Sequence, residues 1–189
     1  MKILVLDNYD SFTYNLVQMI EQILGEKVDV FRNDQISLEE IEKYDKIILS
    51  PGPGIPEEAG ILIELIKKYA ATKSILGVCL GQQAIAEAFG GSLINLSEIF
   101  HGVATNAKAT KSEAKLLRNL PENLEVGRYH SWAVNPEGFP AELEITSIDS
   151  SGMIMSLQHK TYDVHAVQYH PESILTPKGK QIIENFLQD

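Results

Sequence analysis

Cys79 is the one cysteine in a chain of 189 residues, and it stands in the run Ile75-Leu76-Gly77-Val78-Cys79-Leu80-Gly81-Gln82-Gln83. A glycine lies two residues before the sulfur and another two after it. An apolar strand pattern enters the run and a helix-forming pattern leaves it. This is the spacing of a nucleophile elbow, with sulfur in place of a serine oxygen. The elbow is a tight strand-to-helix turn, so small residues are needed where backbone meets backbone. It leaves the side chain at the start of a helix, where the dipole favours a thiolate. A lone cysteine also reads as an inert buried thiol, and the elbow by itself does not choose between the two.

A thiol nucleophile needs a base, and the base needs an orienting group. Of the five histidines, only His170 has a carboxylate at a useful local spacing, in Tyr169-His170-Pro171-Glu172-Ser173. Pro171 biases His170 toward extended backbone, where residues i and i+2 project to one side. Glu172 is thereby predicted beside His170, holding one tautomer and leaving the other ring nitrogen for Cys79. A backbone-bonded turn histidine and a solvated glutamate are the plain alternatives. The run Ser50-Pro51-Gly52-Pro53-Gly54-Ile55-Pro56 lacks the Lys-Ser/Thr of a phosphate-binding loop. It reads either as a rigid turn or as a loop that brings the N–H groups of Gly52 and Gly54 to a substrate. An acyl-transfer site needs such donors for its oxyanion, and the usual partner is the N–H after the nucleophile, here Leu80. Gly127-Arg128-Tyr129-His130-Ser131-Trp132 holds the only tryptophan and reads by itself as a buried aromatic cluster. Residues 7–11 read as a strand–helix loop with Asp10 or Ser11 as cap. With no His-x-x-x-His pair and no second cysteine, a metal site is not expected; His159 and His165 read as structural.

The elements that must position these groups alternate in the first half. Residues 3–6, 28–31, 46–50 and 74–78 read as strands. Residues 11–24 carry Leu16, Met19, Ile20, Ile23 and Leu24 at helical spacing, with Gly25 as the stop. Ser37 and Glu40 form a capping box before a short helix. Residues 60–69 and 82–89 read as helices. This order predicts an α/β fold with an open, mostly parallel central sheet and helices on both faces, and such sheets place their sites at the carboxyl ends of the strands. Residues 143–148, 153–157 and 164–169 read as antiparallel strands, which adds a small antiparallel region. Residues 92–128 read as short strands and loops. The last helix, 181–187, is introduced by Thr176 and Pro177 as cap and first-turn pair.

With 44% hydrophobic residues, 22% charged residues and a net charge of −10, the chain suits a single compact domain over 1–189. The acidic balance and the lack of a basic cluster argue against nucleic acid or an anionic membrane as partner. One cysteine fits a reducing, cytoplasmic setting. No signal-peptide core and no run of about 18 apolar residues is present.

The elbow, the proline-glycine loop and the His-Pro-Glu-Ser segment together resemble the signatures of class I, triad-type glutamine amidotransferases, in order and spacing and over nearly the whole chain. Asp7-Asn8-Tyr9-Asp10-Ser11-Phe12-Thr13-Tyr14-Asn15 and Gln168-Tyr169-His170-Pro171-Glu172-Ser173-Ile174-Leu175-Thr176 are similar to the glutaminase subunits (component II) of anthranilate synthase and aminodeoxychorismate synthase. The resemblance implies that Cys79 attacks the glutamine side-chain amide, that His170 moves the protons, and that Glu172 orients His170. It implies an oxyanion hole from the N–H groups of Gly52 and Leu80. It implies glutamine held by Gly52, Pro53, Gly54 and Gln83 and by the backbone of Ser131 and Trp132. It further implies no cofactor in this chain, Mg2+ in the partner subunit, and ammonia passed to a chorismate-binding synthase subunit in a heterodimer or heterotetramer. That synthase subunit is expected on a separate chain. The product would be anthranilate for tryptophan synthesis, with aminodeoxychorismate for folate, or use in both, as the alternative. Two departures stand out. The family's usual lysine after His-Gly is absent from His101-Gly102-Val103-Ala104-Thr105, which bears on partner contacts. The usual leucine after His130-Ser131 is Trp132, which bears on pocket shape. Two other classes share some of these features: a free-standing cysteine peptidase or hydrolase, and a non-catalytic regulatory subunit.

Overall fold

The computed structural model describes residues 1–188. Its strands are β1 (Ile3–Asp7), β2 (Asp29–Arg32), β3 (Lys46–Leu49), β4 (Ser74–Val78), β5 (Leu93–Asn95), β6 (Val103–Ala109), β7 (Asn123–Arg128), β8 (Trp132–Val134), β9 (Leu143–Ile148), β10 (Ile154–His159) and β11 (Val164–Val167). Its α-helices are α1 (Thr13–Leu24), α2 (Leu62–Tyr69), α3 (Leu80–Ala88) and α4 (Gly179–Leu187). One sheet runs in the order β2-β1-β3-β4-β11-β10-β9-β6-β7, and β5 pairs with β8 in a small second sheet.

The half from β2 to β11 is parallel. The strands beyond it are antiparallel and continue the same sheet. Residues 143–148 and 153–157 are antiparallel as expected. β11 is antiparallel to β10 on one side but parallel to β4 on the other, so it joins the two halves. Hydrophobic alternation explains why both faces are covered. Leu4 and Leu6 of β1 pack with Ile47 and Leu49 under α2 and α3. Ile3 and Val5 face the other way, with Ile48, under α1 and α4. A parallel strand buried on both faces carries no polar alternation, and all five residues of β1 are buried.

Gly25 closes α1 in the left-handed region at φ 73°, its N–H on Glu21 O. Ser37 and Glu40 make both bonds of a capping box, at 2.8 and 3.3 Å, in front of a single 3-10 turn, Glu39–Lys43. Asp10 Oδ2 accepts the Phe12 N–H at 2.8 Å ahead of α1. Thr176 is a correction. Its hydroxyl does not cap α4: it donates to His170 O at 2.7 Å and accepts the Gly127 N–H at 2.9 Å. The residue preceding α4 is Lys178, which makes no side-chain cap bond. Among the described residues no helix is long and apolar enough to cross a membrane.

The order β1-β3-β4-β11 decides where chemistry can happen. These strands are parallel neighbours, so their carboxyl ends lie side by side. The loops at 7–12 and 50–56, the turn at Cys79 and the segment 168–172 leave one sheet edge together.

Candidate active site

Cys79 links β4 to α3 with φ 54° and ψ −101°. This is a strained conformation for a residue with a side chain, and such strain recurs at functional sites. Its N–H is held by Val167 O at 2.8 Å, so the turn is tied to β11. The two elbow glycines are required by packing. A Cβ on Gly77 would lie 2.6 Å from the Gly81 carbonyl, and one on Gly81 would lie 2.7 Å from Leu49 O. Leu80 opens α3, so its N–H has no acceptor within the helix and is free for an anion beside Cys79.

The proline-glycine loop is pinned by a residue that the sequence reading passed over. Buried Asn8 donates its N–H to Ser50 Oγ and its amide to Ser50 O, both at 2.8 Å. Asn33 in turn donates to Asn8 Oδ1 at 3.0 Å. Gly52 is crowded between Asn8 and Leu80: a Cβ there would lie 2.6 Å from Asn8 O and 2.9 Å from Leu80 Cδ2. The expected pair of N–H donors therefore comes from residues that touch.

His170 and Glu172 meet as expected, with Nδ1 2.7 Å from Glu172 Oε1 and both side chains buried. A turn brings them together, and not the extended backbone expected: Pro171 and Glu172 are its central residues, and the Ser173 N–H bonds His170 O at 3.1 Å. Nε2 makes no hydrogen bond. Burial pulls the ring's pKa down, but interaction with Cys79 and then with Glu172 outweighs it and lifts the pKa to about 10. Phe12 stands edge-on to the imidazole at 5.4 Å and Tyr129 tilts over it at 4.8 Å. His170 is thus fixed between two rings from different loops.

Gly52, Pro53, Gly54, Cys79, Gln83, Ser131 and Trp132 line one cavity of about 210 Å³ with His101, Tyr129 and His130. A second cavity, of about 440 Å³, meets the first at Cys79 and takes in Tyr9, Asp10, Phe12 and His170. Burial raises the Asp10 pKa, offset in part by its bond from Phe12 and the charge of His170. The wall formed by Ser131 and Trp132 is braced from behind. His130 Nδ1–H donates to Trp132 O at 2.8 Å and Arg128 Nε–H donates to His130 Nε2 at 3.0 Å. Arg128 also pairs with Asp149 at 2.8 Å and lies over the Phe100 ring. Burial drives the His130 pKa down to about 4, so this ring is neutral at physiological pH. The buried aromatic cluster expected at 127–132 is instead a pocket wall: Tyr129 and Trp132 are half-buried and line the cavity, and Tyr129 and His130 pack on rings from other segments.

Gln168 is a further residue that the spacing did not single out. It is fully buried, and its amide reaches the Cys79 sulfur at 3.4 Å and the Gln83 amide at 3.2 Å. His159 accepts backbone N–H groups in the turn after β10, and His165 pairs with Asp163; both are structural, as read.

Comparison with known proteins agrees with this geometry. The family description "Glutamine amidotransferase class-I" matches residues 4–189. Aminodeoxychorismate synthase component 2 of Escherichia coli is 44% identical over 187 residues, covering 98% of this chain and 98% of that protein. Anthranilate synthase component 2 of Mycobacterium tuberculosis is 44% identical over 192 residues, covering 99% of this chain and 82% of that one. "Bifunctional protein TrpGD" of Thermotoga maritima is 44% identical over 189 residues, but the chain spans only 32% of its length. Among solved structures, a putative GMP synthase protein of Thermoplasma acidophilum superposes with a TM-score of 0.87 at 28% identity, over 99% of this chain and 92% of that one. With an elbow cysteine, a paired histidine and carboxylate, and a family match along nearly its whole length, the chain belongs to the class-I glutamine amidotransferases.

Proposed function

We propose that this chain hydrolyses L-glutamine to glutamate and delivers the ammonia to a chorismate-binding synthase subunit, as a glutaminase using Cys79, His170 and Glu172. The observation that carries the reading is the position of Cys79, at a strained helix start where two cavities meet. His170 bounds one of them, and the proline-glycine loop lines both. His170 Nε2 takes the thiol proton, and the sulfur attacks the side-chain amide carbon. The N–H groups of Leu80 and Gly52 receive the oxyanion. Imidazolium returns the proton to the departing nitrogen, leaving ammonia and a γ-glutamyl thioester. His170 then activates water, which releases glutamate and the thiol. With its pKa raised to about 10, His170 keeps the proton taken from Cys79 as an imidazolium, and Glu172 on Nδ1 stabilises that charge. Gly52, Pro53, Gly54, Gln83, Ser131 and Trp132 form the glutamine cavity.

For the product we take anthranilate as the main reading. Aminodeoxychorismate, or use in both pathways, is the second reading, supported by the E. coli relative's name. Identity does not separate them, since the relatives bearing the two names are both 44% identical to this chain. The complex would be a cytoplasmic heteromer, with any Mg2+ held by the synthase. Reconstitution with each type of synthase subunit is the test. Glutamine-dependent activity with the anthranilate enzyme is expected; activity only with the aminodeoxychorismate enzyme would overturn the main reading.

A further inference from the structure

We propose that Gln168 is an additional catalytic residue: its buried amide N–H donates to Cys79 Sγ and favours the thiolate, and Gln83 fixes the amide in that orientation. The inference rests on Cys79 being the nucleophile.

Amide oxygen and nitrogen are told apart by their partners, and here the partners leave no choice. Trp132 O is a backbone carbonyl and only accepts, so the end of Gln83 that lies 2.9 Å from it is the NH2 group. The same NH2 group lies 3.2 Å from Gln168, which must therefore present its oxygen. The other end of the Gln168 amide, 3.4 Å from Sγ, is then its NH2 group. Trp132 O is held in place by a second donor, His130 Nδ1–H. The chain of bonds runs from the wall of the glutamine cavity, through two amides, to the sulfur. Gln168, Gln83 and Cys79 are each at most 5% exposed.

Burial gives this bond its weight. A donor aimed at a charge in a low-dielectric site is worth more than one in water. Proton transfer from Cys79 to His170 Nε2 places a full negative charge on sulfur, which the Gln168 N–H then faces. Thioester formation removes that charge, and breakdown of the thioester restores it. The donor thus favours sulfur as attacking and as leaving group. Gln83, which the sequence reading assigned only to substrate, acts here as the positioning residue for Gln168. A displaced Trp132 carbonyl would release Gln83 and, through it, Gln168. The cavity wall and the nucleophile's charge are therefore coupled.

The test is the rate of Cys79 alkylation by iodoacetamide as a function of pH, read by mass spectrometry on the full chain. Titratable groups facing the site are His170 backed by Glu172, Asp10 and Tyr9 across the larger cavity, and His101, Tyr129 and His130 across the smaller. All are kept in the variants. Gln168→Met keeps the length and loses the donor. Gln168→Glu keeps the shape and sets an oxygen against the sulfur. Both are expected to move the alkylation midpoint to higher pH and to lower glutamine kcat by about tenfold to a hundredfold, the weight of a hydrogen bond to a charged group. The shift should be larger for Glu, and Gln83→Met should show a smaller shift of the same sign. Circular dichroism identifies a variant that fails to fold. The uncharged Gln168→Met decides where it folds, and Gln83→Met decides where it does not, because the carboxylate of Gln168→Glu raises the midpoint by charge alone. Folded variants with the wild-type pH profile would overturn the role of Gln168 while leaving Cys79 as nucleophile. A wild-type Cys79 that neither alkylates nor supports glutamine hydrolysis would overturn both.

Discussion

His170 Nδ1 lies 2.7 Å from Glu172 Oε1, while Nε2 of the same ring is buried without a hydrogen bond. One nitrogen is fully committed and the other is held in reserve beside Cys79. Residues 170–173 form a turn closed by the Ser173 N–H on His170 O at 3.1 Å, which brings Glu172 back beside His170, and Thr176 and Gly127 hold the segment by its backbone. A base held this way needs no search for its rotamer or tautomer.

Replacing Glu172 with Gln tests that arrangement. The amide can turn its NH2 group toward Nδ1, which moves the ring proton to Nε2 and leaves nothing to accept from the thiol. Glutamine kcat is expected to fall by about 10² to 10⁴, the range for a lost general base, with KM little changed. Steady-state kinetics with excess synthase checks it.

Two histidines impose opposite slopes on stability against pH. His170 has its pKa raised from 6.5 to about 10, so the folded state binds more protons between those values. Its contribution is complete below 6.5 and is lost as pH rises through 10. His130 is depressed from 6.5 to about 4, so the unfolded state binds more protons in that interval, and stability falls as pH drops through it. Urea unfolding across pH should show both limbs. Glu172→Gln should flatten the alkaline limb, and His130→Asn should weaken the acid one.

Gly179 opens α4 hard against the catalytic segment. A Cβ there would lie 1.7 Å from Pro171 O, a backbone atom that cannot rotate away. Gly179→Ala should destabilise the chain by about 3 kcal/mol, as overpacking of a tight site does, and should displace His170. A lowered melting temperature together with reduced glutaminase activity is the expected pair. A wild-type melting temperature would mean that the segment yields freely.

Sequence exposed the parts of the site that are local. The elbow depends on Gly77 and Gly81, and the dyad on the i, i+2 spacing about Pro171, so both could be read within a few residues. Most of the parallel half of the sheet was visible for the same reason, because β1, β3 and β4 are short buried runs of mainly apolar residues. What was not visible is long-range. Asn8 pins Ser50 from 42 residues away, and Gln168 reaches Cys79 from 89 residues away. No local pattern distinguishes such a glutamine from a solvent-facing one. Thr176 misled because a threonine before a proline and a helix has the composition of a cap, while its hydroxyl serves His170 and Gly127. β11 looked purely antiparallel because its neighbour in sequence is β10, whereas its parallel partner β4 lies far back in the chain.

Cys79→Ser should abolish glutamine-dependent synthesis while the assembled complex still uses free ammonium salts. The serine leaves the packing of β4 and α3 intact and removes only the thiolate. Loss of both activities would locate the effect in assembly instead.

The central claim is that Cys79 carries the γ-glutamyl group. The most direct test is to incubate the chain and its synthase with a chloroketone analogue of glutamine and map the adduct by mass spectrometry. Labelling confined to Cys79, protected by glutamine and lost in Cys79→Ser, is the predicted result. An unlabelled Cys79 in the active complex, or glutamine hydrolysis that survives Cys79→Ser, would contradict the account.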